Sequence, residues 1–121
     1  MTREEVAERV QADLDSFTYV EKTREEAGTL GIPWSAKRVG EEMELLKKAL
    51  VTPELIQVID FDTLKAGKRL AKWWLVAQAE GFNLVLYDPE CNQFALAIGD
   101  PQDNPKSVCV RGDLCSTFMA R

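Results

Sequence analysis

Residues 82–98 constrain the fold more than any other part of the chain. Two largely apolar runs, 82–87 (Phe-Asn-Leu-Val-Leu-Tyr) and 93–98 (Gln-Phe-Ala-Leu-Ala-Ile), flank Asp88-Pro89-Glu90-Cys91-Asn92. Proline presets a turn dihedral, and Asp and Asn side chains bond nearby backbone, so the middle segment has turn chemistry. Strand-length runs on either side of it predict a β-hairpin. A lone hairpin is marginal in water, so further strands or helices must cover it.

The neighbouring sequence supplies both. Residues 55–61 are β-branched and apolar and predict a strand; residues 107–110 predict a shorter one. Residues 100–106 hold two prolines and read as a loop. Asp113 is placed to cap a last helix carrying Leu114, Phe118 and Met119. Residues 63–80 admit two readings. One is a single helix ending at Gly81, with Ala66, Leu70, Trp73, Trp74 and Ala77 on one face. The other is a short helix ending near Lys72 and then a strand, with Trp73, Leu75, Ala77 and Ala79 inward and Trp74, Val76, Gln78 and Glu80 outward. The alternation and the hairpin close behind it favour the strand.

The first part of the chain is helical in pattern. Thr2 and Glu5 have capping-box spacing, each side chain satisfying the other's backbone N–H. Val6, Val10, Leu14 and Phe17 follow on one face, and Asp15-Ser16 marks the end. Thr23 and Glu26 repeat the box before a Gly- and Pro-rich stretch that reads as a turn and loop. Ser35 then caps the clearest helix, 35–50, with Ala36, Val39, Met43, Leu46 and Leu50 on one face, widened by Leu45 and Ala49. Lys37–Glu41, Arg38–Glu42 and Glu44–Lys48 are i,i+4 opposite-charge pairs on the other face. Thr52-Pro53 stops it. The three-four spacing also suits a coiled-coil seam, but two heptads are too few for one, so packing onto the chain's own sheet is expected. The fold class is therefore α+β: one antiparallel sheet of about four to five strands, packed on one face by N-terminal and C-terminal helices. The 121 residues fit one domain, 1–52 mainly helical and 53–121 mainly strand with a short C-terminal helix.

Composition bears mainly on chemistry. Histidine is absent, which removes the commonest general base and transition-metal ligand. Cys91, Cys109 and Cys115 are odd in number and lack CxxC spacing, which argues against a zinc set or a disulfide framework and for reduced thiols. No metal and no cofactor is expected. The longest apolar runs, 73–77 and 94–98, are far short of the about 20 residues of a spanning helix. The polar Met-Thr-Arg-Glu-Glu start is unlike a signal peptide, and a cytoplasmic location is expected.

One segment invites a catalytic reading. Ile59-Asp60-Phe61-Asp62-Thr63-Leu64 resembles the first motif of haloacid-dehalogenase-type phosphatases: a strand, then Asp, any residue, Asp, any residue, Thr. The resemblance implies Asp60 as nucleophile and Asp62 as acid/base beside magnesium, in a larger doubly wound domain. Here Thr63 follows Asp62 directly, so one residue of that motif is missing, and the likeness covers six residues. As sequence, the segment reads as a strand ending in a loop, with Asp62 or Thr63 capping the next helix. No catalytic residue is assigned. Arg111-Gly112-Asp113 spells an integrin-recognition tripeptide, a coincidence in a chain of this kind; Gly112 and Asp113 read as a turn and a helix cap.

The candidate binding residues are a basic group and the tryptophans. Lys65, Lys68, Arg69 and Lys72 fall at i, i+3, i+4 and i+7, one cationic face if helical. Trp73 and Trp74 point to opposite faces of a strand, so Trp74 beside Val76 would form an exposed apolar patch; Trp34 is the third aromatic candidate. The net charge of −5 argues against nucleic acid as the partner. It is also uneven: residues 1–62 carry 14 acids and 8 bases, and residues 63–121 carry 6 acids and 7 bases. The expectation is a small acidic, non-enzymatic interaction protein, inhibitor-like or regulatory, binding another protein or itself as a homodimer. The alternative is a small-molecule-binding domain or carboxylate enzyme with a Trp-lined pocket.

Overall fold

The computed structural model describes residues 1–19, 34–62 and 69–121. In chain order its elements are α1 (Arg3–Ser16), α2 (Ala36–Ala49), β1 (Leu50–Asp60), β2 (Arg69–Gln78), β3 (Asn83–Asp88), β4 (Gln93–Ile98), β5 (Lys106–Gly112) and α3 (Leu114–Met119). The class is α+β, as the sequence predicts. Each helix starts on its expected cap. Thr2 and Glu5 form the capping box of α1, Ser35 accepts from the Arg38 amide, and Asp113 accepts from the Ser116 amide. The second box, Thr23 with Glu26, lies outside the described residues.

The strands pair antiparallel in sequence order, and the sheet then closes on itself: β1 meets β5 in parallel at Ile59 and Lys106. This closure goes beyond the antiparallel sheet read from the sequence. Small closed barrels are filled by inward side chains. Here Ile56 and Val58 of β1, Trp73 and Leu75 of β2, Leu84 and Leu86 of β3, and Ala95 and Ala97 of β4 fill the interior. The alanines of β4 leave room for the Trp73 indole, which is 1% exposed.

The other core layer lies outside the barrel, under the helices. Val6 and Val10 of α1, Leu46 of α2, and Leu114, Cys115 and Phe118 of α3 pack on Val76, Val85, Tyr87, Phe94 and Leu96. Burying each large apolar side chain contributes about 1.5–3 kcal/mol. Leu46, with Met43, Ala49 and Leu50 beside it, thus packs on the chain's own sheet, whereas Leu45, expected to widen the stripe, is 45% exposed because it turns away from the core. Of the predicted pairs on the other face of α2, Lys37–Glu41 forms at 4.0 Å. Arg38 instead lies 4.1 Å over the Trp34 ring. Glu42 accepts from Arg121, and Glu44 pairs with Lys47.

Residues 69–78 are strand, which resolves the ambiguity toward β and starts the strand earlier than expected. Arg69 and Lys72 therefore sit on β2, not on a helical face, because pairing with Asp60 and Gln57 of β1 overrides the helical spacing. Trp73 and Leu75 point inward as predicted. A register shift between Leu75 and Ala77 then puts Ala77 in the helix-side core. A bulge adds one residue and so reverses the alternation beyond it. Val76 is covered by helices, so the patch expected from Trp74 with Val76 does not form.

Candidate functional site

Two features could carry function: a charged group at one end of the barrel, and a bare stretch of its outer wall.

The charged group gathers residues from four strand ends. Asp60 ends β1, and its Oδ1 accepts from the Asp62 amide at 2.8 Å while its Oδ2 accepts from Arg69 Nε at 2.9 Å. Asp62 accepts from the Cys109 amide at 2.7 Å and from Arg111 Nε at 2.8 Å. Asp88, at the end of β3, accepts from Arg111 Nη1 at 2.9 Å and from the Glu90 amide at 3.0 Å. Asp60 and Asp88 are fully buried. Arg111 stacks 4.8 Å above the Trp73 ring, and its Nη2 stands 4.0 Å from Asp60. Arg69 reaches outward to Glu90 at 3.4 Å. Burial works against the charge of both arginines, but the carboxylates outweigh it and hold both guanidinium pKa values above their ordinary range.

This arrangement suits a lock better than a reaction centre. Every oxygen of the three aspartates accepts a hydrogen bond from the chain itself. Arg111 lies among the three carboxylates, and among the described residues no group of carboxylates and thiols is arranged to hold a metal. Asp62 caps no helix among the described residues; it ties the chain after β1 to β5. Asp60 and Asp62 of the phosphatase-like motif therefore sit at the end of a closed five-stranded barrel, with Asp60 paired to Arg69, not in a doubly wound parallel sheet; Thr63 and Leu64 lie outside the described residues.

The cysteines are equally quiet, and all three are free. Burial, then Asp88, pushes the Cys91 thiol up; burial, then Asp62, does the same at Cys109. Burial pushes Cys115 up to about 12, with Asp113 and Asp13 adding to it. A thiol raised in this way is a poor nucleophile at neutral pH.

The second feature is the outer face of β1 and β2 around residues 55–61 and 70–72; the helices cover these strands only toward Leu50, Val76 and Ala77, with Trp74 at the border. Cross-strand neighbours there are Leu55 with Trp74, Gln57 with Lys72, and Ile59 with Leu70. Leu55 is 46% exposed, Leu70 62%, and Phe61, just beyond β1, 43%. Ile59 and Trp74 are half-buried and Lys72 is exposed. The result is an apolar strip with one cation in its middle.

The sequence candidates thus separate. Trp74, Lys72 and the neighbouring leucines share the outer face. Trp73 fills the barrel beneath Arg111, and Arg69 belongs to the charged group. Trp34 lies on the far side, where the Tyr19 hydroxyl donates to its carbonyl and it lines a cleft of about 520 Å³ with Phe17, Val39 and Met119. Lys65 and Lys68 lie outside the described residues. Sequence reasoning missed Leu55, Ile59 and Leu70. The signal was present: residues 55–61 are apolar at both odd and even positions, which requires either two covered faces or a bare one. It also missed Asp88 and Arg111 as partners of Asp60, for which no local signal exists.

Compared with family models, curated proteins and solved structures, the chain matches none. Among the described residues, no helix is long and apolar enough to cross a membrane.

Proposed function

We propose that this protein is a non-catalytic binding module that receives a partner protein on the outer face of β1 and β2. The observation that carries this reading is the strip of Leu55 and Leu70, exposed, with half-buried Ile59 and Trp74 beside them, on a sheet whose β2–β4 outer face packs under helices at Val76, Val85, Tyr87, Phe94 and Leu96. Contiguous apolar surface of this kind marks interaction sites on soluble proteins. The paired aspartates and the raised thiols support a role without catalysis. The filled barrel leaves Trp73 unavailable to a ligand, which weighs against a Trp-lined pocket there. The net charge of −5 suits encounter with a basic partner, as for a small acidic inhibitor or regulator. A second copy of the chain is the alternative occupant.

The test is a charge placed in the strip. Leu70→Glu changes a residue that is 62% exposed, so stability should hold within about 0.5 kcal/mol. Tagged wild-type protein should retain one stoichiometric partner from its native extract, or a second copy of itself by light scattering. The variant should lose it, while Glu41→Lys on the far side of α2 keeps it. Retention by a folded Leu70→Glu variant overturns the proposal.

A further inference from the structure

The geometry points to the form that the partner takes: an extended peptide segment that adds a strand to the open edge of β1. This rests on the binding reading above and specifies it.

The edge can be worked out bond by bond. The Ile59 amide donates to the Pro105 carbonyl at 2.8 Å, on the side of β1 away from β2. Successive residues of a strand direct their N–H and C=O groups to opposite sides, so Leu55 and Gln57 direct theirs the same way as Ile59. β5 does not reach them, since its register with β1 holds only Ile59 and Lys106. Among the described residues, Leu55 and Gln57 have no β5 partner in the register, and neither amide donates to the backbone of the loop before β5. Two residues therefore present two donors and two acceptors in strand geometry, which is a template for another strand.

The chain blunts this edge on both sides and covers the middle only by a loop, tied to it by one side-chain hydrogen bond that an incoming chain would have to displace. Below, Pro53 has no N–H, and its carbonyl already accepts from Arg3 Nε at 2.8 Å. Above, Ile59 is joined to β5. Between them runs a groove of about 190 Å³, with residues 54–57 on one wall and Pro101, Gln102 and Asn104 on the other. Gln57 Nε2 donates to Asn104 Oδ1 at 3.1 Å across it.

The groove also selects the occupant. A slot between a strand and a loop accepts one slender chain, whereas pairing with the same edge of a second copy would bring two barrels, each of net charge −5, against that loop. Strand addition supplies affinity through main-chain bonds and specificity through alternate side chains. The added strand's side chain opposite Leu55 lies on the outer face beside Leu55 and Trp74, so it is apolar.

The test uses the full chain and peptides enriched on it from a random linear-peptide display library. In the free protein, the Leu55 and Gln57 amides should exchange with solvent much faster than Val58. An enriched peptide should slow both by at least about tenfold, equivalent to about 1.4 kcal/mol. N-methylation at alternate peptide positions should abolish binding. Protection of both amides in the free protein at all concentrations overturns the inference, as does the absence of any enriched peptide, or one that binds equally well when N-methylated. Protection that rises with protein concentration alone assigns the edge to a second copy and also overturns it. The two readings fail separately. Loss of the partner in Leu70→Glu without slowed edge amides keeps the face and removes the edge. An edge-binding peptide indifferent to Leu70→Glu does the reverse.

Discussion

At the scale of the residue, Arg111 has the largest consequence. It lies between Asp62 and Asp88, with Asp60 at 4.0 Å, and its side chain is only 16% exposed. Removing one partner of a buried ion pair strands the other's charge away from water. Arg111→Met should therefore cost about 3–5 kcal/mol, measured by urea denaturation. Lys37→Met, which breaks an exposed pair with Glu41, should cost about 1 kcal/mol or less. Comparable losses in the two variants would refute the lock. Cys115 gives a prediction in pH. Its ordinary value of 9.0 is raised to about 12 in the fold. Between those values the unfolded chain has released the proton and the folded chain retains it. Stability must then fall as pH rises from about 9 toward 12. Denaturant midpoints followed over that range should drop less steeply in Cys115→Ala than in the wild type; parallel curves would remove Cys115 as the source.

At the scale of the element, α1 and α3 are joined by one carboxylate. Asp13 of α1 accepts from the Leu114 amide at 3.0 Å, satisfying an otherwise orphaned donor at the start of α3, and its other oxygen accepts from Arg9 at 2.9 Å. Asp13→Ala should cost about 1–2 kcal/mol, as loss of a cap does. Asp15→Ala, whose partner is the exposed Gln11, should stay within about 0.5 kcal/mol. Thermal unfolding of the pair separates the two outcomes, and equal losses would reject Asp13 as the joint. Elements were the most legible part of the sequence. Thr2, Ser35 and Asp113 act within a few residues of themselves, so their letters suffice. β2 was harder, because Lys65, Lys68, Arg69 and Lys72 carry helical spacing. Only pairing with β1, which no local window contains, makes strand of the last two.

At the scale of the whole molecule, legibility falls with sequence separation. The hairpin of β3 and β4 closes over one short turn and was read almost to its boundaries. The parallel contact of Ile59 with Lys106, and the reach of Arg111 to Asp60 and Asp62, join residues far apart in the chain. Neither leaves a pattern in the chain. The candidate face was partly legible for the same reason. Trp74 was visible as an outward aromatic in a strand and Lys72 as part of a helical basic cluster, but their companions Leu55 and Ile59 lie on another strand. The uneven charge has a structural counterpart, since Asp60 and Asp62 of the acidic half are neutralised by Arg69 and Arg111 of the other.

The barrel seam also sets an order of events on the ribosome. The hairpins from β1 to β4 pair neighbours and can form as they emerge. Until Lys106 arrives, however, the sheet has two open edges, and until Arg111 follows, Asp60, Asp62 and Asp88 lack their shared cation. Leu114 and Phe118, which complete the layer beneath α1, come later still. A nascent chain that pauses before residue 106 is thus a sticky meander with its charges incompletely paired, the kind of species that aggregates unless a chaperone holds it. The residues from Lys106 onward turn that meander into a closed molecule.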